Sequence, residues 1–482
     1  MFCPTRSHSP FHTILLTLLL ASSRLAAAEP APVQPADVMA RAEEASATRA
    51  LLAELFPDVQ RQNESDSDQA GMFDLEDCLH AALESNLDVG ASKKSVGIAR
   101  SQVSQARSAA RPRLNVQAEQ VHVDRLTSFG TLSIGDKDPA YSHAVLQQPL
   151  FTSGRIELGI AASRDNQKAA EWGVRATKED VILRTIKGYL AVLSQNNRLR
   201  IASESLQVYL EHLALTEDLA KGGVILSTDV ATTRVKMLEA RQKVLEEENA
   251  LEIRRESLAE LIGMPTDSLA RVKQIDAWSL AAITPEGPAT MSVGLLPELE
   301  GLSTTGKMLR KRVLAEQRGR LPSIVFQAKW DSGSSFKTNF PNWNAAVAID
   351  LPVFDGGISR AKAEQARREL EKTNLLREQT SRKLGLAAQT SYLKVQEIAR
   401  KIGLAIEALK TAHENLEQNR INYQAGTVLN TDVLNAQLLY SDARVRVNNA
   451  VYEYLENLAA YYRHTGNIEE YLSKILHLSI EL

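Results

Sequence analysis

Few residues of this chain have the types and spacing that chemistry needs. Cysteine occurs only as Cys3 and Cys78, too few for a thiolate zinc site or a disulfide framework. The nine histidines are scattered, and the seven methionines show no pairing that would make a soft-metal path. The phosphate-loop, dinucleotide, zinc-protease and nucleophile-elbow patterns are all missing. Glu246-Glu247-Glu248 reads as a solvated helix face rather than an acid–base pair. One pattern does recur. Gly223-Val224-Ile225-Leu226-Ser227-Thr228-Asp229-Val230 and Gly426-Thr427-Val428-Leu429-Asn430-Thr431-Asp432-Val433 share a glycine and a Thr-Asp-Val triplet at one spacing. The glycine suits a tight left-handed turn between helices. The Thr-Asp pair suits the start of a helix, where side-chain oxygens accept unpaired backbone N–H groups. These residues predict no enzyme, no cofactor and no metal.

Longer elements must position these turns. The chain has 482 residues, 44% hydrophobic and 24% charged, which excludes bulk disorder. A net charge of −3 gives no basic excess for nucleic acid. Residues 1–28 read as a secretory signal peptide: Arg6, a short apolar run from Ile14 to Ala21, then Ala26-Ala27-Ala28 before Glu29. The apolar run falls short of the roughly 20 residues that span a bilayer. Residues 29–71, rich in proline and acidic, read as a mobile extension, with packing on the body as the alternative.

Prolines divide the rest of the chain. None occurs from Leu150 to Met264 or from Val353 to Leu482, and such deserts suit very long helices. Pro149-Leu150-Phe151-Thr152-Ser153-Gly154 and Pro352-Val353-Phe354-Asp355-Gly356-Gly357 lie 203 residues apart, as do the two glycine turns. One register kept across both motifs points to a continuous helix between them, because one inserted residue turns every later side chain by about 100°. The chain is therefore an internal repeat. Repeat 1 covers 72–264, with a helix, a β-hairpin over 112–151, a long helix over 154–221 and a return helix over 228–262. A connector spans 265–296. Repeat 2 covers 297–466, with a hairpin over 322–354 and helices over 357–424 and 431–464; a tail occupies 467–482. The return helices carry heptad seams, Val433, Ala436, Tyr440, Ala443, Val447, Ala450 and Tyr454 in the second.

The strands alternate: Ile324, Phe326, Ala328 and Trp330 in one, Trp343, Ala345, Val347, Ile349 and Leu351 in the next. An ordinary sheet packed on a core would do the same. Attached to helices about 100 Å long, the apolar face instead fits lipid. Trp330 and Trp343, flanking the loop, fit an interfacial girdle. Four strands cannot close a barrel, and lipid does not tolerate open edges. Three copies give twelve strands.

With Gln148-Pro149-Leu150-Phe151, Gly154, Tyr423-Gln424-Ala425-Gly426-Thr427 and Thr431-Asp432-Val433-Leu434, the sequence resembles the TolC family of outer-membrane efflux channels over roughly residues 72–466. The resemblance implies a mainly helical fold with membrane β-structure. A homotrimer forms a twelve-stranded outer-membrane β-barrel above a coiled-coil tunnel in the periplasm of a Gram-negative bacterium. Implied partners are a periplasmic adaptor, an inner-membrane pump of the RND or ABC type, and outer-membrane lipid. The resemblance places adaptor docking at Gly223, Val224, Ile225, Gly426 and Thr427. It places a pore constriction at Asp432, with Asn435 where the family has a second aspartate, and a tip-closing role at Tyr423; Asp229 joins this aperture set. Val428 stands where the family prototype has a latch arginine. A periplasmic coiled-coil adaptor or scaffold is the alternative; it explains the long helices but not the paired strand hairpins.

Overall fold

A computed structural model describes residues 73–124, 127–129, 132–134, 138–269, 272–275, 277, 281, 285, 296–335, 338–339 and 342–475. The expected signal peptide, the 29–71 extension, most of the connector and the last residues of the tail lie outside them. All described residues belong to one unit, Gln69–Leu482.

The chain opens with two helices, α1 (Leu75–Ser85) and α2 (Leu87–Ser108). The sequence predicts one helix here. Asn86 divides it: its backbone is extended, and its side chain accepts the N–H groups of Asp88 at 2.9 Å and Val89 at 3.4 Å. Strands β1 (Arg113–Gln120), β2 (Thr127–Phe129), β3 (Leu132–Ile134) and β4 (Ala140–Phe151) come next, then α3 (Arg155–Lys221) and α4 (Ser227–Ile262). The second half repeats the plan with α5 (Pro297–Gln317), β5 (Ser323–Ser335), β6 (Thr338–Asn339), β7 (Asn342–Asp350), α6 (Ile358–Gln424) and α7 (Asn430–Thr465). A short α8 (Ile468–Glu470) leads to a π-helical turn ending at Ile475. Ile468, Tyr471 and Leu472 are buried, so this part of the expected tail packs on the body. Both α3 and α6 have 67 residues, and both α4 and α7 have 36. At 1.5 Å per residue the longer pair spans about 100 Å.

The strand–helix junctions solve one problem with different side chains. Asp355 accepts the N–H groups of Gly357 at 2.9 Å and Ser359 at 3.0 Å, and the Ser359 hydroxyl together with these bonds holds its carboxyl down at about 2. In the first repeat the hydroxyl of Thr152 accepts the Ile156 N–H at 3.4 Å.

The main sheet runs β1–β4–β5–β7, all antiparallel. Its register lines up one apolar face across four strands. Val116 lies opposite Ala144, which lies opposite Trp330, which lies opposite Trp343. The next row is Leu114, Leu146, Ala328 and Ala345; beyond it Phe326 pairs with Val347 and Ile324 with Ile349. The other face carries Asn115, Lys329 and Asn344, then Gln117, His143, Asp331 and Asn342. His143 Nδ1 lies 2.6 Å from Asp331, and Lys329 Nζ lies 3.1 Å from the same carboxylate. A bulge between Pro149 and Phe151 accommodates a proline that cannot donate to the ladder.

The core lies on the helices, not under the sheet. Ile182, Ile186, Tyr189, Leu190 and Leu193 of α3 meet Leu258 and Ile262 of α4, Tyr454, Leu455 and Leu458 of α7, and Leu79 of α1. With little else to cover it, the apolar sheet face is open: Trp343 is 74% exposed and Val347 63%.

Candidate functional site

The candidate site is the end of the molecule where the two helical hairpins turn. Both turns have one construction. After α3, Gly223 takes a φ of 73°; its N–H donates to the Ala220 carbonyl and that of Val224 to the Leu219 carbonyl, each at 3.0 Å. After α6, Gly426 takes a φ of 72°, and the N–H groups of Gly426 and Thr427 donate to Tyr423 at 3.0 Å and Asn422 at 2.9 Å. This paired bonding satisfies the last helix carbonyls, and its left-handed residue favours glycine. No atom stands within 4 Å of where a Cβ would sit on either glycine, so backbone conformation rather than crowding selects them. Val224, Leu226 and Leu429 are exposed at these turns, and Ile225 is half-buried.

The return helices then start on Leu226 and Leu429, which have no side chain able to cap. Asp432 fills that gap in the second hairpin. Its carboxylate accepts the Leu429 N–H at 3.0 Å, the reach-back half of a capping box, while the side chain stays exposed. Asn435, one turn on, is exposed as well. Asp229 is half-buried.

The structure brings the two turns together through residues that the sequence does not single out. Asn430, at the first position of α7, is 4% exposed. Its amide nitrogen donates to Thr233 Oγ1 at 2.9 Å and to the Asp229 carbonyl at 3.2 Å. A carbonyl only accepts, so the amide oxygen must face His212, whose Nε2 lies 2.7 Å away and therefore carries the proton. Asn430 thus ties α3, α4 and α7. Burial holds the His212 imidazole below its usual titration range, against the Asn430 hydrogen bond; the Arg420 guanidinium adds to the lowering. Tyr423 leans on His212 with ring centres 5.5 Å apart. Its hydroxyl is buried and has no hydrogen-bond partner among the described residues. Burial raises its pKa, helped by the Asp229 carboxylate. Tyr209, His212, Arg420, Tyr423, Val433 and Leu434 line a cleft between α3, α6 and α7.

Trp330 and Trp343 belong to the sheet, directly opposite one another on its apolar face. A second unforeseen cluster sits between these ends. Arg463, 2% exposed, contacts Glu179 at 3.3 Å, Asp180 at 2.9 Å and Glu298. Burial raises the Glu179 carboxyl despite Arg463 and Arg175. For Arg463 burial opposes the charge, and the Glu298 and Glu179 carboxylates outweigh it.

A repeated long-helix hairpin, joined to a sheet with one apolar face and two edges unpaired among the described residues, suits a membrane channel better than a soluble scaffold. Among the described residues no helix is long and apolar enough to cross a membrane. The family profile "Outer membrane efflux protein" matches residues 78–264 and 307–467. The chain belongs to that family. It is an outer-membrane channel-tunnel protein with a large periplasmic part. It is 22% identical to the alkaline protease secretion protein AprF of Pseudomonas aeruginosa, over 70% of this chain and 71% of that protein. It is 23% identical to the cobalt-zinc-cadmium resistance protein CzcC of Cupriavidus metallidurans, over 78% and 86%. Its fold matches the Campylobacter jejuni CmeC outer membrane channel with a TM-score of 0.70 and 16% identity, covering 84% of this chain and 90% of that one.

Proposed function

We propose that three copies of this chain form a passive export conduit, with the β-sheets closing a twelve-stranded barrel and the helices forming a tunnel. The observation that carries this reading is the sheet. Among the described residues, strands β1 and β7 each have one neighbour, and the four-strand apolar face has no core beneath it. Joining β1 of one copy to β7 of the next removes every edge and leaves the apolar face to lipid. Strands of eight to thirteen residues, at about 3.3 Å each, are of the length that crosses the hydrocarbon at a tilt. Trp330 and Trp343 then sit at an interface, as aromatic girdles do.

The turns are the docking end. Gly223, Val224, Ile225, Gly426 and Thr427 present a small backbone-rich surface to the tip of a periplasmic adaptor, which links the conduit to an inner-membrane pump of the RND or ABC type. The chain itself catalyses nothing; the pump supplies the energy. Asp432 constricts the tunnel with two further copies of itself, Asn435 lies behind it, and Tyr423 and Asp229 hold the turn end closed.

Single-channel recording of the detergent-extracted protein in a planar bilayer tests this. Uniform, long-lived steps from a particle of three chains are expected, with a preference for cations. Asp432→Asn keeps an acceptor for the Leu429 N–H and removes the charge, so the cation preference falls while the fold stays. An unchanged reversal potential in asymmetric salt leaves Asp432 a cap and nothing more. A protein that stays in solution without detergent and never conducts ends the channel reading.

A further inference from the structure

We propose that the strand–helix junctions of this chain lie in the headgroup layer of the periplasmic leaflet, where Arg111, Arg155, Arg318, Arg320, Arg360 and Lys362 bind the phosphate groups of anionic phospholipids. The inference rests on the barrel reading and adds the position of the membrane and the lipid it selects.

The paired sheet alone is too short for the membrane it crosses. Its apolar face starts at the row of Trp330 and Trp343. The rows beyond, toward the hairpin loops, are polar or small: Ala118, Ser142 and Ser332, then Gln120, Ala140, Ser334 and Asn339. In the other direction the last paired apolar row holds Phe151, Ile324 and Ile349. Along β5, Ile324 to Trp330 spans about 20 Å, or about 15 Å along the membrane normal at a tilt of about 40°, whereas an apolar barrel band is about 25 Å tall. The remaining height, about 10 Å, has to come from the junctions. Apolar side chains stand there uncovered. Val353 and Phe354 are 90% and 89% exposed, and Leu150, Leu321 and Leu351 are exposed as well. The helices run on into the periplasm, so this end of the band meets the periplasmic leaflet.

The charges begin where the band ends. Arg111 precedes β1, Arg155 opens α3, Arg318 and Arg320 link α5 to β5, and Arg360 and Lys362 lie at the start of α6. All six are exposed, and none forms an ion pair among the described residues. Arg318 is fixed in place: its Nη1 donates to the Ser153 carbonyl at 3.2 Å, in the space that a Cβ on Gly154 would fill. The acidic residues of the same segments do not answer these cations. Asp355 accepts the N–H groups of Gly357 and Ser359, and Asp350 lies in the sheet opposite Ser323, on the polar face with Lys329, which leaves Glu157. Further along α6 the pattern changes, because Arg367, Arg368, Arg382 and Lys401 each pair with a glutamate about one turn away. Unpaired guanidinium groups beside an apolar band fit a phosphate headgroup, which they meet with a fork of N–H donors. Closing three copies into a barrel makes the six positions a continuous collar, and a collar of one sign favours lipids of net negative charge.

The full-length trimer in a zwitterionic detergent is titrated with phosphatidylglycerol and, separately, with phosphatidylcholine, and bound lipids are counted by native mass spectrometry. Phosphatidylglycerol is expected to bind at least about tenfold more tightly at low salt, with the difference closing as salt rises. Arg320→Gln with Arg360→Gln and Lys362→Gln is expected to remove most of that difference and to leave phosphatidylcholine unchanged; Arg318 is kept because it holds Ser153. The same number of changes among the paired cations, Arg367→Gln with Arg368→Gln and Arg382→Gln, is expected to leave the preference intact. Equal binding of the two lipids, a preference that survives in a folded collar variant, or an equal loss in the control variant overturns the proposal. Displacement by inorganic phosphate at concentrations as low as the lipid's own also overturns it, since the arginines then hold a free anion rather than a leaflet. Depth supplies a second measurement. A nitroxide on Val353→Cys, in vesicles of both lipids, is expected to be more accessible to oxygen than to a polar nickel chelate, and the reverse places the junction in water. A conducting trimer without lipid preference removes the collar alone, and a protein that neither assembles nor inserts removes the barrel reading.

Discussion

The two long helices have the same length and register, yet they are differently used. α3 is an internal spine: α1, α2, α4, α5 and α7 all pack on it, and Val181, Ile182, Ile186, Tyr189, Leu190 and Leu193 are buried. α6 packs on α5 and α7, and leaves Leu375, Leu386, Leu393 and Leu404 exposed. A duplicated sequence therefore does not give a duplicated core. The first repeat holds one copy together. The second leaves a row of exposed leucines on α6, with Leu393 and Leu404 at positions whose α3 counterparts, Leu190 and Ile201, are buried.

The largest effect that separates the two helices is expected at the buried ion cluster. Arg463→Ala leaves Glu179, itself 3% exposed, with the half-exposed Arg175 at 3.3 Å as its one remaining ion-pair partner among the described residues. Removing one cation of a buried cluster costs up to about 3–5 kcal/mol, and Arg175 offsets part of it. The equivalent position in the first repeat is Glu260, exposed in one copy, and its removal costs the isolated chain about 0–1 kcal/mol. Denaturant unfolding of the two variants in detergent checks the ratio, and similar losses would erase the contrast. Leu190→Ala ranks second. It opens a cavity in the α3 core at about 2–5 kcal/mol. Leu393→Ala, the same position in α6, is expected within about 0.5 kcal/mol for the isolated chain. Its loss appears instead as earlier dissociation of the trimer on dilution. If Leu393→Ala unfolds the single chain as readily as Leu190→Ala, α6 has a core that the exposed leucines do not reveal.

The fold class was legible because long-range order here is written locally. Proline-free runs, glycine turns and a constant offset describe two hairpins without any knowledge of their packing. The strand faces were legible for the same reason, since alternation alone sorts Trp330 and Trp343 onto one side. Other features were not. The break at Asn86 hides in a helix-like run, although Asn86-Leu87-Asp88 is an acceptable helix start. Arg463 looks like any arginine near a helix end; only the meeting of α3, α5 and α7 surrounds it with carboxylates. His212 and Asn430 are 218 residues apart, and no spacing rule connects them. At the turns, the sequence displays the residues that bend the chain and hides those that tie one bend to the other. Bending is a property of one segment, and tying needs two.

That tie gives the smallest and most specific expectation. His212 is held as a neutral imidazole: its Nε2 proton is committed to Asn430, and protonation at Nδ1 places a cation in a half-buried cleft. The groups facing it are the Arg420 guanidinium and Tyr423 phenol from α6, Glu211 from α3, and neutral Asn430, Val433, Leu434 and Gln437 from α7; Asp229 of α4 acts on Tyr423. Burial and Arg420 depress the histidine in the closed arrangement, so an arrangement that exposes it binds the proton more tightly. Stability of the tied turns is therefore complete above the exposed histidine's pKa of about 6.5 and falls as the pH drops through and below it. Channel opening is expected to rise severalfold between about pH 7.5 and pH 5. His212→Gln keeps a donor for Asn430 and removes the titration, so that rise is lost. Asn430→Ala removes the tie itself, and opening at neutral pH is expected to approach the acid level of the unsubstituted protein. Recordings that rise equally with and without His212 assign the acid response to another group, and leave the Asn430 hydrogen bonds as packing between two turns of the same shape.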